Sequence, residues 1–122
     1  MPLQPELRTR DPWVDEEEYG RNLAAFCSRA ADAGCCIVVV DIPPVEPLLE
    51  RKYPELGRRI VRYNRQAAKV ADGRNNVTFL DWHAMVEESG RPWMIGEDGI
   101  HPTVSASRKL AEALAARIYG YF

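Results

Sequence analysis

The residues in this sequence that are best suited to chemistry are Asp98 and His101, in the stretch "EDGIHPTVSASRKLAEAL" at 97–114. A histidine can take the proton of a serine hydroxyl when its other ring nitrogen donates to a carboxylate, which fixes the tautomer and stabilises the imidazolium. Gly99 permits a tight turn, and Pro102 ends the loop just before a helix pattern. The spacing therefore predicts part of a catalytic triad. A surface hydrogen bond without catalytic role is the simpler interpretation of the same four residues.

The serine that this pair would serve is not evident in the sequence. The chain contains four serines: Ser28, Ser89, Ser105 and Ser107. All four fall within predicted helical segments, and Ser105 has helix capping as its alternative role. None follows a strand in the sharp strand-to-helix turn that would present a nucleophilic hydroxyl at the edge of a sheet. We therefore expect the nucleophile to lie outside this chain.

Three further residues could contact a substrate near the pair. His83 follows the end of a predicted strand, whereas Trp93 and Met94 precede the loop of the pair and could line an acyl pocket. A structural role for His83 and packing under the loop for the other two are the alternatives. Asp98, His83 and His101 would also make a loose zinc-type set, but no H-x-x-x-H or H-E-x-x-H spacing supports it. The sequence predicts neither a metal nor any other cofactor.

Composition limits the classes of protein to which this chain can belong. Its 122 residues are 46% hydrophobic, enough for one packed domain. A net charge of -2 creates no basic field for nucleic acid or an anionic membrane. The longest apolar run, at 35–40, is too short to cross a bilayer, and no signal peptide is recognisable. A cytoplasmic location is the default expectation. The three cysteines, Cys27, Cys35 and Cys36, lack metal-type spacing and are expected to be small buried thiols.

The order of predicted elements indicates an α/β fold. A capped helix runs from Asp15 to Gly34, and the apolar run at 35–41 reads as a strand buried on both faces. A Pro-rich loop, a helix over 57–71 and a second strand at 77–81 follow. A short helical turn, a loop and a last helix at 103–119 complete the order. This alternation predicts a parallel sheet covered by helices.

The predicted sheet lacks a neighbour for its most apolar strand. The run at 35–41 is apolar enough to be central, yet the chain offers one clear neighbour, at 77–81. A two-stranded parallel sheet is marginal, and an open apolar edge invites pairing with another chain. We therefore expect a second polypeptide to cover this edge, or the domain to be part of something larger.

These segments together resemble the SGNH (GDSL-type) hydrolases. "EDGIHPTVSASRKLAEAL" is similar to that family's D-x-x-H-P element before its last helix. "YGRNLAAFCSRAADAGCCIVVVDIPPV" and "RRIVRYNRQAAKVADGRNNVTFLDWHAM" are similar to two successive helix and strand pairs of the family, so the resemblance starts at about Asp15. It implies a three-layer α/β/α flavodoxin-like fold with strand order 2-1-3-4-5. Within it, 35–41 is the fourth strand, 77–81 is the fifth, and the catalytic residues are Asp98 and His101.

The departures from the family pattern define the expected function. The G-D-S element with the nucleophile, the second-block Gly and the G-x-N-D element are absent, and Ala106 stands where a Gly is usual. We expect residues 1–122 to form one partial domain, with 1–14 as an irregular lead-in. This domain would be the C-terminal portion of an esterase for ester or O-acyl groups of small molecules or glycans, inactive alone.

A second chain that supplies the N-terminal half, or a homodimer, could complete the sheet.

Two alternatives to the esterase function remain open from the sequence. A non-catalytic remnant that binds another protein through its open edge is one alternative to the esterase. The other is an O-acyltransferase of the same fold, since "FLDWHAM…DGIHPT" is similar to variants attached to membrane acyltransferases.

Overall fold

The computed structural model describes residues 14–120, so positions 1–13 of the predicted irregular lead-in lie outside the described residues. The elements alternate between helix and strand as the sequence predicts. They are α1 (Glu16–Asp32), β1 (Ile37–Val40), α2 (Pro47–Lys52), α3 (Pro54–Ala71), β2 (Val77–Leu80), α4 (Trp82–Ser89), α5 (Arg91–Met94) and α6 (Val104–Tyr119). This order confirms the α/β class.

The two strands form a parallel pair, as predicted. Ile37 lies opposite Val77 and Val40 lies opposite Leu80. Within residues 14–120 the sheet has these two strands alone. Because the strands are parallel, both carboxyl ends reach the same edge of the sheet, which is where ligands bind in open α/β folds.

Helices cover both faces of the sheet, which gives three layers. On one face, α1 and α3 pack on the strands through a core of Cys27, Val39, Ala67, Ala71 and Val77. On the other face, α4, α5 and α6 enclose a second core of Trp82, Val86, Met94, Ile95 and Ala106. The arrangement is consistent with an incomplete α/β SGNH-like fold.

The ends of the main helices follow the predicted local signals. Asp15 Oδ1 accepts a hydrogen bond from the backbone N–H of Glu18 at 2.8 Å and so caps α1. Gly34 lies just after α1 with a positive φ of 75°, a backbone conformation that glycine adopts at little cost. Thr103 caps α6 by accepting from the N–H of Ala106. The last cap holds the loop of the Asp–His pair against the start of α6.

The segment at 42–56, predicted as a Pro-rich loop, contains α2 and the start of α3. Pro47 and Pro54 lie in the first turns of these helices, where a missing N–H costs nothing and the fixed φ favours the helix. The side chain of Glu46 accepts from the N–H of Leu48 at 2.8 Å and caps α2. The prolines therefore start helices here, and the loop prediction was wrong.

The burial predicted around the first strand was also partly wrong. Val39 is buried, but the other residues of β1 are half-buried, and the strand is shorter than the predicted run at 35–41. Cys35 and Cys36 precede the strand and are exposed, whereas Cys27 is buried as predicted. Phe26, on α1 and next to the buried Cys27, is 61% exposed. Within residues 14–120 no element buries Cys35, Cys36 or Phe26.

Candidate active site

The loop between α5 and α6 is a closed turn that carries the Asp–His pair. Ile95 and Pro102 form an antiparallel bridge across its base. Inside the bridge, the N–H of Gly96 donates to the carbonyl of His101 at 2.7 Å. Thr103, the cap of α6, donates its backbone N–H to the carbonyl of Met94 at 3.1 Å. These bonds fix the backbone on both sides of His101, so the imidazole is carried by an ordered turn.

Asp98 holds both the backbone and the ring of His101. Its Oδ1 accepts from the backbone N–H groups of Ile100 at 2.9 Å and His101 at 2.8 Å. Its Oδ2 contacts the Nδ1 of the His101 ring. With a proton on Nδ1, this contact selects the tautomer in which Nε2 has a free lone pair. The carboxylate thus orients the ring as the Asp of a triad does.

The hydrogen bonds to Asp98 also fix its charge. The contact with the ring of His101 is the largest cause, followed by the N–H groups of His101 and Ile100, and together they hold the pKa of Asp98 well below its ordinary value of 3.8. A carboxylate that stays ionised at every physiological pH can stabilise an imidazolium when one forms. The imidazole itself is 80% exposed. Its Nε2 has no hydrogen-bond partner within residues 14–120 and so is open to a reacting group.

The loop of the pair is docked on α2 through Gly99. The backbone N–H of Glu46 donates to the carbonyl of Gly99 at 2.9 Å. Gly99 has a positive φ of 75°, and a Cβ added to it would lie 3.2 Å from the Cβ of Glu46. The position therefore requires glycine for two reasons, the backbone conformation and the close approach of α2.

Replacing Gly99 with alanine is expected to destabilise the domain more than replacing Gly34 with alanine. Both residues have the same positive φ, for which a Cβ costs about 1–2 kcal/mol. A Cβ on Gly34 has no neighbour within 4 Å, whereas one on Gly99 presses on Glu46. We expect Gly99→Ala to cost about 1 kcal/mol more in free energy of unfolding, measured by urea denaturation. Equal losses for the two variants would show that the contact with Glu46 has no effect.

The structure places the four serines away from the Asp–His pair. Ser28 Oγ accepts from Arg74 at 3.1 Å, and Ser89 Oγ accepts from Lys109 at 3.0 Å. Ser105 and Ser107 lie in the first turn of α6. None of these hydroxyls contacts His101.

The other predicted site residues lie in different environments. Met94 is 2% exposed and belongs to the core under α6, while Trp93 is 77% exposed and its carbonyl accepts from the hydroxyl of Thr103. His83 is half-buried in α4, and its backbone N–H donates to Asp41 at 2.8 Å. The structure thus brings Asp98 and His101 into contact, and it does not bring these three into contact with them.

A second polar cluster, not found by sequence reasoning, lies where the strands end. Asp41 follows β1 and Asp81 follows β2, and both line a cavity of about 260 Å³ together with His83. Asp41 is 6% exposed. Burial raises its pKa to about 7, Asp81 adds to the rise, and the N–H groups of His83 and Trp82 oppose it. The sequence does contain a signal for this cluster, because both strand patterns, "VVVD" and "FLD", end in aspartate.

This cluster does not form a metal site. Within residues 14–120 no three His, Cys, Asp or Glu side chains come together in a way that could hold a metal ion. The Oδ1 of Asp81 instead accepts from the N–H of Ala84 at 2.9 Å. The two carboxyl groups therefore bind the backbone N–H groups at the start of α4, which places them in a structural role.

An apolar cavity of about 380 Å³ lies beside the loop of the pair. Its lining includes Ile100, the residue immediately before His101 in the chain. The rest comes from the segment after β1 and from α3: Ile42, Pro43, Val45, Leu56, Arg59, Ile60 and Tyr63. Neither Trp93 nor Met94 lines this cavity.

A comparison of the chain with models of protein families found a match to one family. The model described as "GDSL-like Lipase/Acylhydrolase family" matches residues 7–109, a range that contains both Asp98 and His101. Searches of curated proteins and of solved structures gave no significant match. In the part of the chain that the structure describes, no helix is both long enough and apolar enough to cross a membrane.

Proposed function

Because the chain belongs to the GDSL-like lipase/acylhydrolase family, we propose that it supplies the Asp–His half of a serine esterase active site. Membership supports a function of the hydrolase or acyltransferase type on ester substrates. The observation that carries the finer proposal is the pairing of Asp98 with Nδ1 of His101, with Nε2 exposed to solvent. His101 is the general base, and Asp98 orients it.

The proposed reaction follows from the two nitrogen atoms of His101. Nε2 takes the proton of a serine hydroxyl as that oxygen attacks the ester carbonyl, and Asp98 stabilises the imidazolium. When the tetrahedral intermediate collapses, Nε2 returns the proton to the leaving alcohol. Water then attacks the acyl-serine with the same base, and the acid leaves.

The nucleophile in this proposal comes from a segment outside this chain. The four serines contact other groups or lie in the first turn of α6, and the family's G-D-S and G-x-N-D elements are absent from the sequence. In addition, no strand of residues 14–120 pairs with β1 on the side away from β2. A polypeptide that adds a strand there would bring its own loops to the edge of the sheet where His101 lies.

Labelling with a fluorophosphonate probe tests the proposal, since such a probe reacts with activated serines. The affinity-tagged chain is isolated from the cells that produce it, together with any polypeptide that binds it. We expect the label on a segment other than residues 1–122, and we expect His101→Ala to abolish it. His83→Ala is the matched control, because His83 is the chain's other histidine and does not contact Asp98.

Two results would contradict the proposal. Label on Ser28, Ser89, Ser105 or Ser107 of this chain would show that the nucleophile is internal. Label that persists at full rate in His101→Ala would show that His101 is not the base of that serine.

The open side of β1 supports a second candidate, a non-catalytic module that pairs with another protein through the strand. This function would survive the double change of Asp98 and His101 to alanine, which the esterase would not. Acyl transfer remains within the first proposal, because it differs only in whether water or an alcohol attacks the acyl-serine.

A further inference from the structure

We infer that the apolar cavity beside Ile100 is the subsite for the acyl chain of the ester, and that it favours an unbranched chain of medium length over an acetyl group. The inference rests on the proposed function, which places the ester carbonyl at Nε2 of His101. It assigns a ligand class to a cavity in which sequence reasoning had placed no residue.

Most of the residues that line the cavity are apolar and come from packed elements, and Arg59 and Tyr63 complete the lining. Val45 and Ile60 are nearly buried, with 8% and 7% of their surface exposed, and form its inner part. Ile42 and Ile100 are 39% and 51% exposed and lie at its opening. An apolar surface that remains accessible next to polar reacting groups is typical of a ligand pocket.

Ile100 connects the lining of the cavity to the catalytic pair. Ile100 lies between Asp98 and His101, and its own N–H donates to Asp98 Oδ1. The bond from Glu46 to Gly99 fixes the same turn on α2, next to the segment that contains Val45. In the inferred arrangement, a chain attached to a carbonyl at the imidazole passes Ile100 to enter the cavity.

The size of the cavity argues for a chain of several methylenes. At about 380 Å³ it lies within the range of small-molecule pockets. An acetyl group at the carbonyl would leave the inner wall at Ile60 uncovered. Each buried methylene is expected to strengthen binding about fourfold, which corresponds to ~0.8 kcal/mol.

Isoleucine methyl NMR on the whole chain tests the inference without requiring catalysis. The chain has six isoleucines, of which Ile42, Ile60 and Ile100 line the cavity. Ile37, Ile95 and Ile118 do not, and they are controls in the same spectrum. On titration with sodium octanoate we expect saturable shifts of the first three methyl groups. Butyrate, four methylenes shorter, is expected to bind on the order of 100-fold more weakly.

A pair of exposed variants separates the cavity from general surface binding. Ile100→Glu places a charge at the opening and is expected to weaken octanoate binding at least tenfold. Ile118→Glu is the matched control, because Ile118 is 48% exposed against 51% for Ile100 and does not line the cavity. Both positions are exposed enough for the variants to fold.

The outcomes distinguish this inference from the proposed function. In His101→Ala the octanoate shifts are expected to persist, so a failure of catalysis leaves the subsite intact. Equal shifts of all six methyl groups, or equal effects of the two glutamate variants, would overturn the inference. The inference would also be overturned if octanoate shifted these methyl groups only after residues 1–13 had been removed. The same holds if the shifts arose without octanoate when the chain self-associates. In both cases the cavity would be occupied by this chain itself.

Discussion

Replacing His101 with alanine is expected to lower kcat/KM for p-nitrophenyl ester hydrolysis by the assembled enzyme about 10³-fold. The variant loses the base that contacts Asp98, and the serine must then lose its proton to water. Binding of the ester and any oxyanion hole remain, so residual turnover above the uncatalysed rate is expected. The measurement compares initial rates for the chain in complex with the polypeptide that carries the nucleophile.

His83→Ala provides the control for this result. Its backbone N–H, which donates to Asp41, is unchanged by the substitution. We expect its kcat/KM to stay within about twofold of the native value, because its side chain is not hydrogen-bonded to Asp98 or His101. If His83→Ala lowered kcat/KM as much as His101→Ala, the assignment of His101 as the general base would be contradicted.

Asp98 and His101 are expected to behave as one unit. Asp98→Asn would leave the ring without the acceptor that selects its tautomer, and the loss should approach that of His101→Ala. The double variant should then be no slower than His101→Ala alone, because residues that act in the same step are not additive. Losses that multiply would indicate that the two side chains act independently, against the pairing seen at Nδ1 and Oδ2.

The contact within the pair could be predicted from the sequence because it is local. Asp98 and His101 lie three positions apart, with Gly99 between them, and the cap Thr103 follows two residues after His101. The capping of α1 by Asp15 is local in the same way. Short-range hydrogen bonds depend on residue types at fixed spacing, which a sequence states directly.

Contacts distant in sequence could not be predicted in this way. The cavity joins Ile42, Ile60 and Ile100, which are far apart in the chain and meet only once α3 has packed on the sheet. The exposure of Cys35 likewise depends on what packs against the chain at that position, whereas its apolar neighbours predicted a buried strand. Packing, which decides both cases, is not encoded in local periodicity.

Asp41 gives the largest effect expected on stability. Asp41 is 6% exposed at the end of β1, and burial raises the pKa of its carboxyl group to about 7 from an ordinary value of 3.8. The charged form is therefore the costly one in the folded state. The N–H groups of His83 and Trp82 offset part of this cost, and the nearby Asp81 adds to it.

The sign of the pH dependence follows from this shift. Below pH 3.8 the group is protonated in both the folded and unfolded states, and its full stabilising effect is present. As the pH rises from about 4 to about 7, the unfolded state releases the proton first and the folded state loses stability. Above pH 7 both states are ionised, and the loss is complete.

Asp41→Asn is expected to remove this loss. An asparagine keeps one oxygen to accept from the N–H of His83, and its amide can donate to Asp81, with which the side chain of Asp41 shares a hydrogen bond. We expect the free energy of unfolding at pH 8 to rise by about 2 kcal/mol and to be nearly unchanged at pH 4. Urea denaturation at intervals between these values measures the difference curve.

The control is Asp32→Asn, at an exposed position in the last turn of α1. It is expected to shift stability by less than about 0.5 kcal/mol at every pH. Asp41 is hydrogen-bonded to the start of α4 and not to the turn that carries Asp98. We therefore expect Asp41→Asn to leave that turn and the rate of hydrolysis unchanged. A variant less stable than the native chain at pH 8 would mean that Asp41 is needed as a carboxylate, and the cluster at the strand ends would then have to bind a positive charge.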